Sequence, residues 1–286
     1  MAVIGRFNTL TVLRLTGHGA ILDGHTDDGE GGDILLPTRL LPPDIAVGAS
    51  VEVFVHFDSE DRVIATTQTP LAQVGDVAWL KIVAENDAGI FLDWGLAKDL
   101  MLPWNEVPRE QKIGLEPGRS VLVMVFQDSS GRIAASARLD DFLAREAEGF
   151  NEGDKVSLLI GDRTDLGVRA VVNNRYWGLV HNNELFGNAR KGERRDGWVK
   201  TLRSDLRLNI ALTPPGPDKI DSAAQGILDK LIRNDGFMAV TDKSPPEAIY
   251  KLFGVSKKVF KQAIGSLYKN RLITIEDAGL RIIPQK

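Results

Sequence analysis

The chain has 286 residues, 43% of them hydrophobic and 26% charged, with no cysteine and a formal net charge of −4. That length calls for about two to four compact units, and the missing cysteine excludes disulfides, thiolate zinc sites and thiol catalysis while agreeing with a reducing cytosol. No apolar run reaches the roughly 18 residues that cross a bilayer, and the near-balanced total charge gives no sign of the basic domain usual in nucleic-acid binders.

The opening MAVIGRFNTLTV lacks the basic and long apolar regions of a signal peptide. From there the chain repeats itself. GAILD (19–23), DILLP (33–37) and GASVEVFVHFDSEDRVIAT (48–66) match GIFLD (89–93), DLMLP (99–103) and GRSVLVMVFQDSSGRIAAS (118–136). GDVAWLKIVAENDAGIFL (75–92) aligns without a gap on GDKVSLLIGDRTDLGVRA (153–170), and Asn105-Glu106 meets Asn183-Glu184 at the same spacing. Each unit has five short period-two strands and a hairpin closed by a turn such as Asp128-Ser129-Ser130-Gly131. Five such strands without intervening helices suit a small closed barrel of the OB-fold kind and argue against a parallel α/β sheet. The units are expected at 1–68, 69–145 and 146–214. LDDFLAREAEGF (139–150) reads as a short amphipathic helix between the second and third.

TPPGPDK (213–219) is a stiff Pro-rich linker and the clearest boundary. Beyond it the period changes. DSAAQGILDKLIR (221–233) reads as a helix with Ala224, Ile227, Leu228, Leu231 and Ile232 inward. Ser244-Pro245-Pro246-Glu247 has the form of a capping box opening a second helix that ends near Gly254. Ser256 caps a third helix with Phe260, Ala263, Ile264 and Leu267 inward, and RLITIEDAGLRIIP folds as a hairpin around Asp277-Ala278-Gly279. Three helices and a hairpin give a winged helix-turn-helix at 217–286. The expected fold is thus multi-domain and mainly β: three tandem five-stranded OB barrels, then a winged helix.

Alternation sorts the strand faces. Ile90, Leu92, Leu100 and Leu102 point inward, turning Phe91 and Met101 out. Val168, Ala170 and Val180 point inward, turning out Arg169, Trp177, Leu179 and His181. Outer faces of strands two and three carry ligand in OB-folds, where aromatic and Arg planes stack bases. The first unit offers only Ile21, Asp23 and Leu35 there.

Charge is divided along the chain. Residues 1–70 hold 4 basic and 10 acidic side chains, and residues 71–148 hold 8 and 13, a net of −6 and −5. Residues 149–216 hold 11 and 8, and residues 217–286 hold 12 and 8, a net of +3 and +4. Phosphate binding by counterion release therefore belongs to the second half. Its candidates are Arg190, Lys191, Arg194, Arg195, Lys200, Arg203 and Arg207 in the third unit, with Arg175 beside the platform. In the winged helix they are Lys243, Lys251, Lys257, Lys258 and Lys261. Signals for catalysis, metal or cofactor are lacking. The acidic 23–33 loop misses EF-hand spacing, GNARKG (187–192) lacks the Lys-Ser/Thr of a phosphate loop, and His18, His25, His56 and His181 have no ligand spacing.

GLVHNNEL (178–185) resembles the GLVH-x-SEL signature of S1-type RNA-binding domains. DKSPPEAIYKLFGVSKKVFKQAIGSLYKNRLITI (242–275) and VKTLRSDLRLNIAL (199–212) resemble segments of the bacterial conserved virulence factor B family. The resemblance spans the whole chain and implies three S1-type units plus a winged helix, in a cytoplasmic RNA-binding regulator of gene expression without catalysis of its own. S1 platforms use aromatics on strands two and three and a His ending strand three. Phe91 and His181 match that pattern, Arg169 stands in place of an aromatic, and Pro37 and Pro103 stand in place of the His.

The expected partner is single-stranded RNA, bound with little sequence preference. Phe91, Met101, Arg169, Arg175, Trp177 and His181 would form the base platforms, and Lys200, Arg203, Arg207, Lys243, Lys257, Lys258 and Lys261 the phosphate contacts. No cofactor, metal or membrane is expected. One rival reading places helix 256–269 in the major groove of duplex DNA. A second makes the acidic half a scaffold that docks on a ribosome or ribonuclease.

Overall fold

In a computed structural model, the period-two segments of the first repeat form β1 (Phe7–Thr16), β2 (Gly19–Asp23), β3 (Asp33–Pro37), β4 (Ser50–Phe57) and β5 (Val63–Thr66). The structure describes residues 1–24, 32–185, 189–214 and 217–283, apart from the side chains of Asn183, residues 217–219 and Ser222. The acidic segment 25–31, with His25, and residues 186–188, which include the first two of GNARKG, lie outside the described residues. The five strands close a barrel in the order β1-β2-β3-β5-β4. The seam is parallel, with Leu35 opposite Ile64. Leu10, Val12, Leu22, Leu36, Val53 and Val55 fill the interior.

The second repeat gives β6 (Val77–Glu85), β7 (Gly89–Asp93), β8 (Leu100–Pro103), β9 (Ser120–Gln127) and β10 (Ile133–Ser136). It keeps the neighbour order as a five-stranded sheet, β10-β9-β6-β7-β8, without a ladder between β8 and β10. The third gives β11 (Lys155–Thr164), β12 (Gly167–Val172), β13 (Tyr176–His181), β14 (Arg194–Leu202) and β15 (Leu208–Ala211), closed again by a parallel β13–β15 seam. The inward and outward assignments made from alternation hold: Ile90, Leu92, Leu100, Leu102, Val168, Ala170 and Val180 are all buried.

One glycine recurs at the start of the second strand of each barrel. A Cβ on Gly19, Gly89 or Gly167 would lie 2.0, 2.4 or 2.0 Å from the carbonyl oxygen of Leu36, Leu102 or Val180. The obstacle is strand backbone, which cannot swing aside as a side-chain tip can. Gly167→Ala is therefore expected to destabilise the third barrel by at least ~2 kcal/mol, a backbone-driven loss. Urea unfolding followed by circular dichroism checks it, and an unchanged midpoint would contradict the close approach.

The chain divides into two compact units, Met1–Leu143 and Ala144–Lys286. In the first, Phe54 of β4 is fully buried and belongs to the core of the second barrel. Its ring meets Phe7 edge-on at 5.6 Å and Trp94 at 5.7 Å. Backbone bonds join the same two barrels, Val74 N–H donating to the Gly5 carbonyl at 2.9 Å.

The expected helix over 139–150 does not form. Only Leu139–Asp141 makes a 3₁₀ turn, because the segment's partners are split between the two units. Phe142 packs on Phe126 at 5.3 Å in the first. In the second, Ala144 and Ala147 donate to the carbonyls of Arg175 and Leu206, and Trp177 donates back to Ala144. Tertiary bonds take the backbone groups that a helix would have used.

The winged helix follows as α1 (Pro217–Arg233), β16 (Phe237–Met238), α2 (Pro246–Phe253), α3 (Lys257–Lys269), β17 (Ile273–Glu276) and β18 (Gly279–Ile282), with the sheet ordered β16-β18-β17. Ile227, Leu231, Ile249, Phe260, Ile264, Leu267, Ile273 and Leu280 make its core. Two expectations need correcting. Ile232 is 63% exposed, since it lies about 100° round the helix from buried Leu231. Ser244 is not a helix cap: Pro245 occupies the N-cap without a side-chain bond, and Ser244 Oγ accepts from Thr241 N–H at 3.0 Å. Pro246 at the first helical position has no N–H to satisfy, which lowers the need for a cap. Gly254 ends α2 in the left-handed region, φ 67°, and Ser256 caps α3 through Val259 N–H at 3.3 Å. The Tyr250 hydroxyl of α2 donates to the Leu185 carbonyl, tying the winged helix to the third barrel.

Candidate nucleic-acid interface

Strand register places one cross-strand row on the outer face of each barrel. In the first it runs Ile21, Leu35, Ile64, an aliphatic row. In the second Phe91 stands opposite Met101, both half-buried. In the third Arg169 stands opposite Leu179, and Leu179 opposite Asn209.

The third face carries the most chemistry. Trp177, two residues before Leu179, shares its side of β13, diagonal to Arg169. The Arg169 guanidinium lies over the indole, 3.8 Å from its centroid. At the other end of β13, a ring nitrogen of His181 bonds Asn209 Oδ1 at 2.9 Å. Asn209 has no counterpart in the sequence reading, because a parallel seam partner cannot be found from local pattern. Arg175 is exposed in the β12–β13 turn, its guanidinium 5.4 Å from the Tyr176 ring. Arg169, Trp177 and His181 are thus gathered on one face, with Arg175 beyond its edge. Phe91 and Met101 pair with each other in the first unit.

The predicted phosphate contacts divide by their partners. Lys200 Nζ bonds the buried Glu184 carboxylate at 2.7 Å. Arg203 and Arg207 both face Asp205, at 3.1 and 3.7 Å. In the winged helix Lys243 and Lys261 make long, exposed pairs with Asp277 and Asp242, at 3.6 and 3.8 Å. Such pairs contribute little in water and give way readily to a phosphate. Lys257 Nζ donates to the Ser244 carbonyl at 3.0 Å, and Lys258 is exposed on α3. The same outer side of α3 also carries Gln262 and Lys269, with Tyr268 58% exposed. Tyr268 was findable by helical period, being three residues on from the outward 265 position and seven on from 261.

A second concave feature lies in the first unit, a cleft of about 200 Å³ between barrels one and two. The β4–β5 turn of barrel one is held there by barrel two. Lys98 Nζ donates to the Asp58 carbonyl at 2.7 Å and to Asp61 at 3.0 Å, and Arg132 donates to the other Asp61 oxygen at 2.8 Å. The Lys98 hydrogen bond is the main reason that the Asp61 carboxyl titrates below its usual range. Burial pushes the His56 imidazole below its ordinary value, which favours its neutral form.

Barrels with this row on their outer face, joined to a winged helix, define a class of multidomain protein whose parts suggest nucleic-acid binding. A family model described as an S1 domain matches residues 4–68 and 74–138, and one described as a CvfB-like winged helix domain matches 225–282. The protein named YitL of Bacillus subtilis is 29% identical over 258 residues, 87% of each chain. Conserved virulence factor B of Staphylococcus epidermidis is 26% identical over 98% of this chain and 95% of its own. A solved multidomain protein with nucleic acid binding domains from Streptococcus pneumoniae is 25% identical, covers 98% of each chain and has a TM-score of 0.45. The chain thus has curated homologues named conserved virulence factor B and YitL, and it matches models of the S1 domain and of a CvfB-like winged helix domain. No helix among the described residues is long and apolar enough to cross a membrane.

Proposed function

We propose that this chain is a cytoplasmic RNA-binding protein that takes single-stranded RNA with little sequence preference and regulates gene expression after transcription, without catalysis of its own. The observation that carries this reading is the Arg169 guanidinium stacked on Trp177 beside His181. A flat cationic layer of this kind meets an unstacked base face-on and leaves a paired base out of reach. Charge supports the same half of the chain, since residues 149–216 and 217–286 are net +3 and +4 while both earlier segments are negative. In this reading Arg169, Trp177 and His181 hold bases. Arg175, Lys243, Lys257, Lys258 and Lys261 meet phosphates, and Lys200, Arg203 and Arg207 do so in exchange for their carboxylate partners. Phe91 and Met101 add a smaller base platform.

A gel-shift series with poly-U RNA and duplex DNA of equal length, at two salt concentrations, tests it. RNA is expected to bind more tightly, with log K falling by about 0.7 per phosphate contact for each unit of log salt. Tighter binding of the duplex would overturn the proposal and put α3 in a major groove. RNA recovered shortened after incubation with magnesium would refute the non-catalytic part.

A further inference from the structure

The cleft of the first unit has a wall and a floor that a base would use. Asp99, Met101 and Pro103 alternate along β8 and its leading residue, so all three face the same side, and all three line the cleft. The floor is therefore the outer row of barrel two. The roof is barrel one, whose His56 and Asp61 line the opposite side. In the repeat alignment Asp99 stands where Trp177 stands in the third barrel, so a carboxylate replaces the stacking indole at the same place on the face.

The charges within the cleft are already sorted. Lys98 and Arg132 are both committed to Asp61. Asp128 accepts from Ser130 and Arg132 in its own turn. Three carboxylates, Asp61, Asp99 and Asp128, outnumber the two cations in the lining, so the cleft disfavours a phosphate. Asp99 is exposed at its mouth as an acceptor for N–H donors. Among the bases, guanine carries adjacent imino and amino hydrogens that fit one carboxylate bidentately. Cytosine offers only its amino group, and uracil flanks its single N–H with two carbonyl oxygens that a carboxylate repels.

We infer that this cleft binds a single unstacked guanine base, with Met101 and Pro103 under the ring and Asp99 accepting its Watson–Crick edge hydrogens. This rests on the RNA-binding reading above and adds to it a modest base preference located in the acidic half of the chain. The full-length protein would be titrated with a fluorescent twelve-nucleotide oligo-U and with the same RNA carrying three spaced guanines. The guanine RNA is expected to bind about tenfold tighter, equivalent to about 1.4 kcal/mol. Asp99→Ala should erase that advantage and leave oligo-U affinity within about twofold. Asp99→Lys should erase it while tightening oligo-U, because the new ammonium attracts phosphate. Equal affinity of the unaltered protein for both RNAs, or an advantage that survives both substitutions, overturns the guanine site while RNA binding stands. Failure of both RNAs to bind overturns the RNA-binding reading and the guanine site with it.

Discussion

Replacing Lys257, Lys258 and Lys261 together by glutamate is expected to lower affinity for single-stranded RNA about a hundredfold at moderate salt. The estimate takes about 1 kcal/mol for each lost charge-assisted contact and about 1.4 kcal/mol per tenfold change. The salt dependence should fall as well, by about 2 units of slope, since each single-strand phosphate contact contributes about 0.7. The slope separates electrostatic loss from damage to the fold, because an unfolded winged helix would lower affinity without reporting three specific contacts. Structure supplies a further control. Lys257 also donates to the Ser244 carbonyl at 3.0 Å, so part of its loss falls on the join between α3 and the loop before α2. Lys258 is exposed, and Lys261 makes only a 3.8 Å pair with Asp242. A Lys258→Glu, Lys261→Glu double variant should therefore keep the melting temperature and lose most of the affinity. Full affinity in that double variant would remove α3 from the RNA site.

Much of the fold was legible because its signals are local. Alternation along strands of five and six residues told Phe91 from Ile90 and Arg169 from Val168, and burial follows that alternation at both pairs. The same glycine opens each second strand, and the structure shows the carbonyl that each glycine clears. What was not legible depends on residues far apart in the chain. Lys200 reads as a free surface cation until Glu184 is found beside it, buried and sixteen residues away. The 139–150 segment has helical composition, yet its backbone groups are claimed by Arg175, Trp177 and Leu206. The cleft unites His56 with Met101 through the docking of one barrel on the next, in which Phe54 takes part. Alternation could thus sort the strand faces, while the partners of each side chain, which decide how available each charge is, required the tertiary fold.

Trp177→Ala should weaken RNA binding by roughly tenfold or more, since one stacked base contributes about 1–3 kcal/mol. Arg169→Ala should cost a similar amount, because its guanidinium at 3.8 Å completes the same layer. The two losses are not expected to add. Without the indole beneath it the guanidinium loses a cation–π contact of about 0.5–2 kcal/mol and no longer lies flat, so the double variant should lose clearly less than the sum of the singles. Trp177→Phe provides the discriminating arm. It keeps an aromatic plane and removes the indole Nε1, which is buried without a hydrogen-bond partner among the described residues. An unpaired buried donor costs about 1–3 kcal/mol, so the phenylalanine variant should melt at the same temperature or higher. It should also retain most RNA affinity if the plane is what the base meets. Fluorescence anisotropy at fixed salt, with thermal melts on the same samples, reads both quantities. Additive losses would mean that Arg169 and Trp177 contact RNA separately. Unchanged affinity in Trp177→Ala would move the site off this face altogether.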